Sequence, residues 1–150
     1  MQSKKSASSK QRKAWLFWGL ALLLVVLIFR RTLGWLVLTW RGSPYYGHGF
    51  LIPPVSAILA WRAWRRNEER NLLPSTTELA AGALVAALAI AGHYATLSRA
   101  RYSLSSCALV MALAGLVLAE AGGRMLWRQA FPLGFLLFMI PVPWLESMAP

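Results

Sequence analysis

Residues 79–97 read LAAGALVAALAIAGHYATL, an apolar run that contains no charged side chain. As an α-helix this run is about 28 Å long at ~1.5 Å per residue, which matches the ~30 Å hydrocarbon core of a bilayer. The polar residues Ser75, Thr76, Thr77 and Glu78 come directly before it and predict the N-terminus of the helix. The run therefore predicts a transmembrane helix rather than the core of a soluble domain.

Four further apolar segments accompany this helix along the chain. They cover residues 14–29, 50–61, 104–121 and 131–145, and most are bounded by basic residues or polar turns. Residues 32–40 have apolar side chains at helical spacing but are too few to cross, so we expect them to lie at the membrane surface. Together these segments predict an all-α, multi-pass transmembrane helical bundle with about four to five membrane segments.

Stripes of small residues on the helices at 79–97 and 104–121 predict that these two helices pack as a hairpin. Small side chains let membrane helices approach each other closely. The first stripe consists of Ala83, Ala87 and Ala91, and the second of Gly115, Ala119 and Gly123.

The basic residues indicate how the chain is oriented. Lysine and arginine number 16 against 5 acidic residues, and they bracket the apolar runs. A nucleic-acid-binding protein would concentrate them on one polar face, so we expect no nucleic-acid partner. Most of them lie in the tail at 1–13 and in the loops at 62–70 and 124–128. With the predicted spans between them, these three segments lie on the same side of the membrane. Because the cytoplasmic side keeps the excess of basic residues, we predict that residues 1–13 form a basic cytoplasmic tail.

The reactive side chains exclude several enzyme classes for this chain. It has no aspartate, which excludes a Ser-His-Asp triad and paired-aspartate proteolysis. His48 and His93 have no carboxylate or thiolate near them in sequence, so we expect no metal, no cofactor and a structural or interfacial role for each. Cys107 is surrounded by apolar and small residues inside a membrane segment, where a reactive thiolate is disfavoured. We expect Cys107 to serve packing.

Three short motifs indicate a family. Residues 46–54 read YGHGFLIPP, residues 61–66 read WRAWRR, and residues 131–143 read FPLGFLLFMIPVP. The first two resemble the Tyr-Ser-His-Gly-Phe-Leu-x-Pro loop and the Trp-Arg-rich helix end of the exosortase/archaeosortase family, with Gly47 where serine is usual. The third is similar to that family's Phe-Leu-x-Phe-x-x-Pro-x-Pro segment. Members of the family are membrane-embedded cysteine enzymes.

The resemblance implies an activity for the complete enzyme, and it also implies that this chain alone lacks the residues for that activity. It makes residues 14–150 the N-terminal part of an exosortase-like transmembrane domain. The family's catalytic cysteine, arginine and histidine belong to later helices, and Cys107 lacks the Ala-Cys-Ser-Gly context of the nucleophile. We therefore expect no catalytic residue here. A complete enzyme in the bacterial inner (cytoplasmic) membrane would cleave exported proteins at C-terminal sorting signals of the PEP-CTERM type through an acyl-thioester.

A substrate cleft is the remaining expectation for this chain. His48 precedes a Pro-Pro helix start, and Pro141 and Pro143 break the last apolar segment near the same membrane surface. Broken helices at membrane depth are tolerated where they line a cavity, so these three residues are the candidates for the cleft. His48 as a simple interface anchor is the alternative. A non-enzymatic multi-pass membrane protein, such as a transport or scaffold subunit, is the alternative for the chain as a whole.

Overall fold

A computed structural model of the chain describes residues 18–43, 46–66, 74–99 and 101–141. These residues form five α-helices, joined by turns and by short 3-10 helices, and contain no strand. The helices are α1 (Trp18–Ile28), α2 (Arg30–Gly42), α3 (Ile52–Arg65), α4 (Thr76–Leu97) and α5 (Tyr102–Leu136), with 3-10 helices at Gly47–Phe50 and Leu137–Met139. The all-α prediction is confirmed. The basic tail at 1–13 lies outside the described residues.

The N-terminus of α4 is fixed by a capping box, as its polar leader predicts. The Ser75 hydroxyl accepts the backbone N–H of Glu78 at 3.2 Å, and the Glu78 carboxylate accepts the backbone N–H of Ser75 at 2.9 Å. The second carboxylate oxygen of Glu78 accepts the backbone N–H of Gly123 at 2.8 Å. One side chain therefore joins the start of α4 to the middle of α5.

α5 folds back on itself at Gly122. A straight 35-residue helix would be about 52 Å long at ~1.5 Å per residue, yet the Ser103 hydroxyl donates to the Pro141 carbonyl oxygen at 2.9 Å. Gly122 is the single non-helical residue between the two arms, with φ 77° and ψ 173°. L-residues with a side chain rarely adopt this positive φ, which explains glycine here. We name residues 102–121 the first arm of α5 and residues 123–136 its second arm.

α4 and the first arm of α5 pack as the predicted hairpin. Gly82 lies against Gly115 and Ala119 so closely that a Cβ at Gly82 would stand 2.6 Å from the Gly115 carbonyl oxygen. The predicted stripe on α4 is nevertheless wrong, because Ala83, Ala87 and Ala91 are exposed. The buried face of α4 consists of Gly82, Ala89 and His93. Successive residues of an α-helix point about 100° apart around its axis. The predicted face begins at Ala83 and the buried face at Gly82, so the prediction was displaced by one residue.

α3 runs antiparallel to the second arm of α5. The Ser56 hydroxyl donates to the Pro132 carbonyl oxygen at 2.6 Å, and the Gln129 side-chain amide donates to the Ala60 carbonyl oxygen at 3.0 Å. Pro53 lies in the first turn of α3, where its missing N–H leaves no helical hydrogen bond unmade. These contacts hold α3 against the second arm of α5.

The number of membrane spans is lower than predicted. By length and composition alone, two helical stretches could cross a membrane, α4 and Tyr102–Met139, or three if the bent pair α1 and α2 is one span. The stretch Tyr102–Met139 is the one that reverses at Gly122. The predicted second span corresponds to α3, which has 14 residues and is too short. The predicted loop at 124–128 is helical, because the chain reverses at Gly122 without a loop. The predicted fourth and fifth segments are thus the two arms of α5.

α2 crosses one end of the bundle at 70° to α1. Thr32 contacts Ser105 near the start of the first arm of α5, Trp35 stacks on Tyr102 with ring centroids 5.4 Å apart, and the Trp40 indole N–H donates to the Met139 carbonyl oxygen at 2.9 Å. α2 therefore runs across the helix ends, and the position of residues 32–40 at the membrane surface stays a prediction. We call this end of the bundle the α2 end and the opposite one the Gly122 end.

The polar and apolar surfaces of the helices fit a lipid environment. The core lies mainly at the α2 end, where Phe29 and Leu36 are fully buried. Along α1 the apolar side chains Leu20, Leu23 and Leu27 are each more than half exposed. A helix that is apolar on every face belongs in a bilayer. The described residues therefore form a membrane-embedded helical bundle.

Candidate functional site at the α2 end

The first and third motifs meet at the α2 end of the bundle. The 3-10 helix Gly47–Phe50 places Gly49 against the indole of Trp40, where a Cβ would stand 2.6 Å from the indole Cε2. The same indole donates its N–H to the carbonyl oxygen of Met139. Trp40 thus joins the His48 turn to the segment that precedes Pro141. Glycine is required at position 49, because any side chain would overlap the Trp40 ring.

The candidate cleft residues occupy different environments at this end. The His48 side chain is exposed, and within the described residues it makes no hydrogen bond. Pro141 is buried, and its carbonyl oxygen accepts the Ser103 hydroxyl. The structure therefore brings the His48 turn and Pro141 to one end of the bundle. Pro143 lies outside the described residues.

A buried polar cluster lies at the same end, where α1 bends into α2. The Ser105 hydroxyl oxygen is 2.6 Å from Nδ1 of His93 and 2.6 Å from the Thr32 hydroxyl oxygen. Nε2 of His93 lies 3.1 Å from the carbonyl oxygen of Ile28. A carbonyl can only accept, so in the neutral ring Nε2 carries the proton and Nδ1 accepts from Ser105. Thr32 then donates to Ser105.

A serine hydroxyl hydrogen-bonded to a histidine is the composition of a nucleophile and its base, but this cluster is not accessible to a substrate. Thr32, His93 and Ser105 are all 0% exposed, so no substrate can reach the Ser105 hydroxyl. Its physical role is to satisfy the Ile28 carbonyl, which belongs to the last turn of α1 where the helix breaks. The structural role expected for His93 agrees with this geometry. Its partners were not predicted, although polar residues in membrane helices usually turn toward the protein interior.

The family of the chain follows from its sequence profile. The family described as "Transmembrane exosortase (Exosortase_EpsH)" matches residues 40–150. The chain belongs to the transmembrane exosortase family. The match begins at Trp40, the residue that joins the two motifs, and it includes α3, α4 and α5. The family resemblance drawn from the sequence is confirmed. Comparison with curated proteins and with solved structures gave no match.

Cys107 is the one thiol of this exosortase-family chain. It is a free cysteine, half-buried on the first arm of α5. Within the described residues its thiol makes no hydrogen bond, and no group of three His, Cys, Asp or Glu side chains is close enough together to hold a metal. A nucleophilic cysteine requires a neighbouring base or cation to stabilise its thiolate. In the part of the chain that the structure describes, no base or cation is hydrogen-bonded to Cys107.

Proposed function

We propose that this chain is the N-terminal part of a membrane-embedded exosortase-like cysteine peptidase or transpeptidase. Its substrates are exported proteins with C-terminal sorting signals of the PEP-CTERM type, which the complete enzyme cleaves through an acyl-thioester. The observation that carries the proposal is the family match over residues 40–150. The convergence of the two motifs at Trp40 supports it, because residues distant in sequence then contribute to one surface.

The role of this chain in that enzyme is to form a wall of the substrate cleft. His48 is exposed on a turn whose Gly49 packs against Trp40, so its imidazole is available to a peptide at the α2 end. Pro141 follows the end of the second arm of α5, and Pro143 continues the same segment. Proline cannot donate a backbone hydrogen bond, and the carbonyl oxygens of Met139 and Pro141 already accept hydrogen bonds from Trp40 and Ser103, so this segment would shape the cleft wall sterically rather than bind the substrate backbone.

The thioester nucleophile is expected to lie outside these 150 residues. Cells that express this chain alone with a reporter protein bearing a PEP-CTERM-type signal should therefore release no processed reporter. Immunoblotting of the reporter measures this, with an active exosortase expressed in parallel as the control. Processing by the chain alone that disappears in Cys107→Ala would place the nucleophile at Cys107 and refute the assignment.

The contribution of His48 can be measured in an active exosortase that carries the same loop motif. Alanine at the histidine corresponding to His48 should slow processing about tenfold, the effect of losing one hydrogen bond worth ~1.4 kcal/mol. The rate of reporter cleavage is measured at matched enzyme abundance. Alanine at the position of Leu84, which is 60% exposed on α4, is the control and should leave the rate unchanged. A wild-type rate in the histidine variant would remove His48 from the cleft.

The α2 end is expected to face away from the cytoplasm, in a chain inserted in the bacterial inner membrane with a cytoplasmic N-terminus. The excess of basic residues in the tail and at 62–70 supports this orientation. Alkaline phosphatase, which is active only outside the cytoplasm, should be active when fused after Gly49 and inactive when fused after Asn67. The reverse pattern of activity would show that the bundle is inserted the other way round.

A further inference from the structure

A pocket of about 380 Å³ lies beside the bend between α1 and α2. It is at the opposite end of α2 from the His48 turn, so it is separate from the candidate cleft. Its walls come from the end of α1, the first turn of α2 and the C-terminal end of α4. Among the residues that line it are Leu27, Arg30, Arg31, Tyr94, Leu97 and Ser98.

The pocket carries positive charge that nothing in the described residues neutralises. Arg30 and Arg31 are both exposed, and neither forms an ion pair within the described residues. They open α2, whose first turn contains no acidic residue and whose N-cap Phe29 offers no side-chain hydrogen bond. The N-terminal end of a helix is itself positive, so it adds to the field of the two guanidinium groups. The site is therefore suited to an anion.

The remaining walls distinguish a lipid from a free ion. Leu27 and Leu97 form an apolar side of the pocket, and Leu27 continues into the exposed leucines of α1. A free inorganic anion would gain nothing from these side chains, whereas an acyl chain would lie against them. Tyr94 and Ser98 also line the pocket and carry hydroxyl groups. This combination of a charged side and an apolar side matches the boundary between headgroup and acyl chain.

We propose that this pocket binds the headgroup of an anionic phospholipid, with the phosphate between Arg30 and Arg31 and an acyl chain along Leu27. Arginine binds phosphate oxygens with two parallel hydrogen bonds, which gives such a site both strength and orientation. Ligand pockets have volumes of roughly 300–1,000 Å³, so the volume observed is enough for a phosphoglycerol group. The lipid neutralises the two arginines and holds the α1–α2 bend at headgroup depth.

Lipid binding to the purified chain in detergent tests the proposal. Phosphatidylglycerol should raise the melting temperature of the protein and bind saturably, while phosphatidylcholine should do neither. The double substitution Arg30→Gln/Arg31→Gln should weaken phosphatidylglycerol binding at least tenfold, which corresponds to about 1.4 kcal/mol. The control Arg41→Gln/Arg101→Gln removes the same charge from the same end of the bundle, outside the pocket, and should retain wild-type affinity.

Two further measurements separate a lipid from other anions. Leu27→Ser should weaken phosphatidylglycerol binding severalfold without affecting Arg30 and Arg31, since it removes only the apolar wall. Inorganic phosphate that protects the protein as well as the lipid would overturn the proposal, as would an equal loss of affinity in the control variant. Circular dichroism checks that each variant keeps its helical content. The readout is lipid binding, so it is independent of the proposed processing activity.

Discussion

Gly82→Ala is expected to destabilise the bundle by about 1–3 kcal/mol or more, although alanine normally strengthens a helix relative to glycine. The added methyl group would stand 2.6 Å from the Gly115 carbonyl oxygen and 2.7 Å from the Ala119 Cα. Both are backbone atoms of α5, so no side-chain rotation can relieve the overlap. The two helices must separate, and the close contact that small residues permit is lost.

Gly92→Ala is the matched control for this prediction. Gly92 lies on the same helix, and a Cβ there would meet nothing within 4 Å. Its substitution should leave the free energy of unfolding unchanged or raise it by up to about 1 kcal/mol through helix propensity. Unfolding of both variants by denaturant in detergent measures the difference. Equal stabilities for the two variants would show that α4 and α5 are not in close backbone contact at Gly82.

His93→Ala should destabilise the bundle by about 2–5 kcal/mol. The imidazole is completely buried and packs against Phe29 with ring centroids 4.2 Å apart, so its removal leaves a cavity. The carbonyl oxygen of Ile28 and the hydroxyl of Ser105 each lose a hydrogen-bond partner at the same time. An unsatisfied buried polar group adds its desolvation cost to the cost of the cavity.

His48→Ala provides the control, because it removes the same side chain from an exposed position. Its effect on the free energy of unfolding should stay within about 0.5 kcal/mol. Ser105→Ala should be intermediate at about 1–3 kcal/mol, because it removes the closest donor to Nδ1 of His93, leaves only the Thr32 hydroxyl at 3.5 Å, and creates little cavity. The measurement is the unfolding free energy in detergent. If the His93→Ala variant were as stable as His48→Ala, the buried hydrogen bonds of His93 would not stabilise the bundle.

The features of the fold that depend on residues close together in the sequence were predicted from the sequence. The capping box at Ser75 and Glu78 depends on residues three apart, and the structure contains it. The first-turn position of Pro53 and the pairing of α4 with the first arm of α5 also follow from neighbouring residues. The all-α membrane class follows from composition and run length alone.

Features that depend on tertiary packing were not predictable in the same way. Alanine is so frequent in residues 79–97 that two adjacent faces both carry small side chains, and only contact with Gly115 selects the face containing Gly82. The reversal of the chain at Gly122 was not predicted from the sequence, because a single glycine connects the two arms of α5 where a loop is usual. The number of spans was overestimated since apolar runs such as α3 can be shorter than a membrane is thick.

The candidate residues of the site were named from the sequence, and their role in a cleft stays a prediction. Motif resemblance pointed to His48 and Pro141, which the structure places at one end of the bundle. Trp40 was missed as the residue that connects their segments, because its partner Met139 lies far along the chain. A tryptophan directly before a helix-ending arginine and glycine gives no hint of such a long-range hydrogen bond.

The reversal of α5 at a single residue makes this part of the chain intolerant of insertions and deletions. Where a loop connects two helices, an extra residue is absorbed by the loop. Here one residue inserted beside Gly122 would rotate the second arm by about 100° about its own axis and shift it by ~1.5 Å. Gln129 and Pro132 would turn away from α3, and their hydrogen bonds to Ala60 and Ser56 would be lost together. Insertions and deletions beside Gly122 should therefore disrupt the packing of α3 against the second arm of α5.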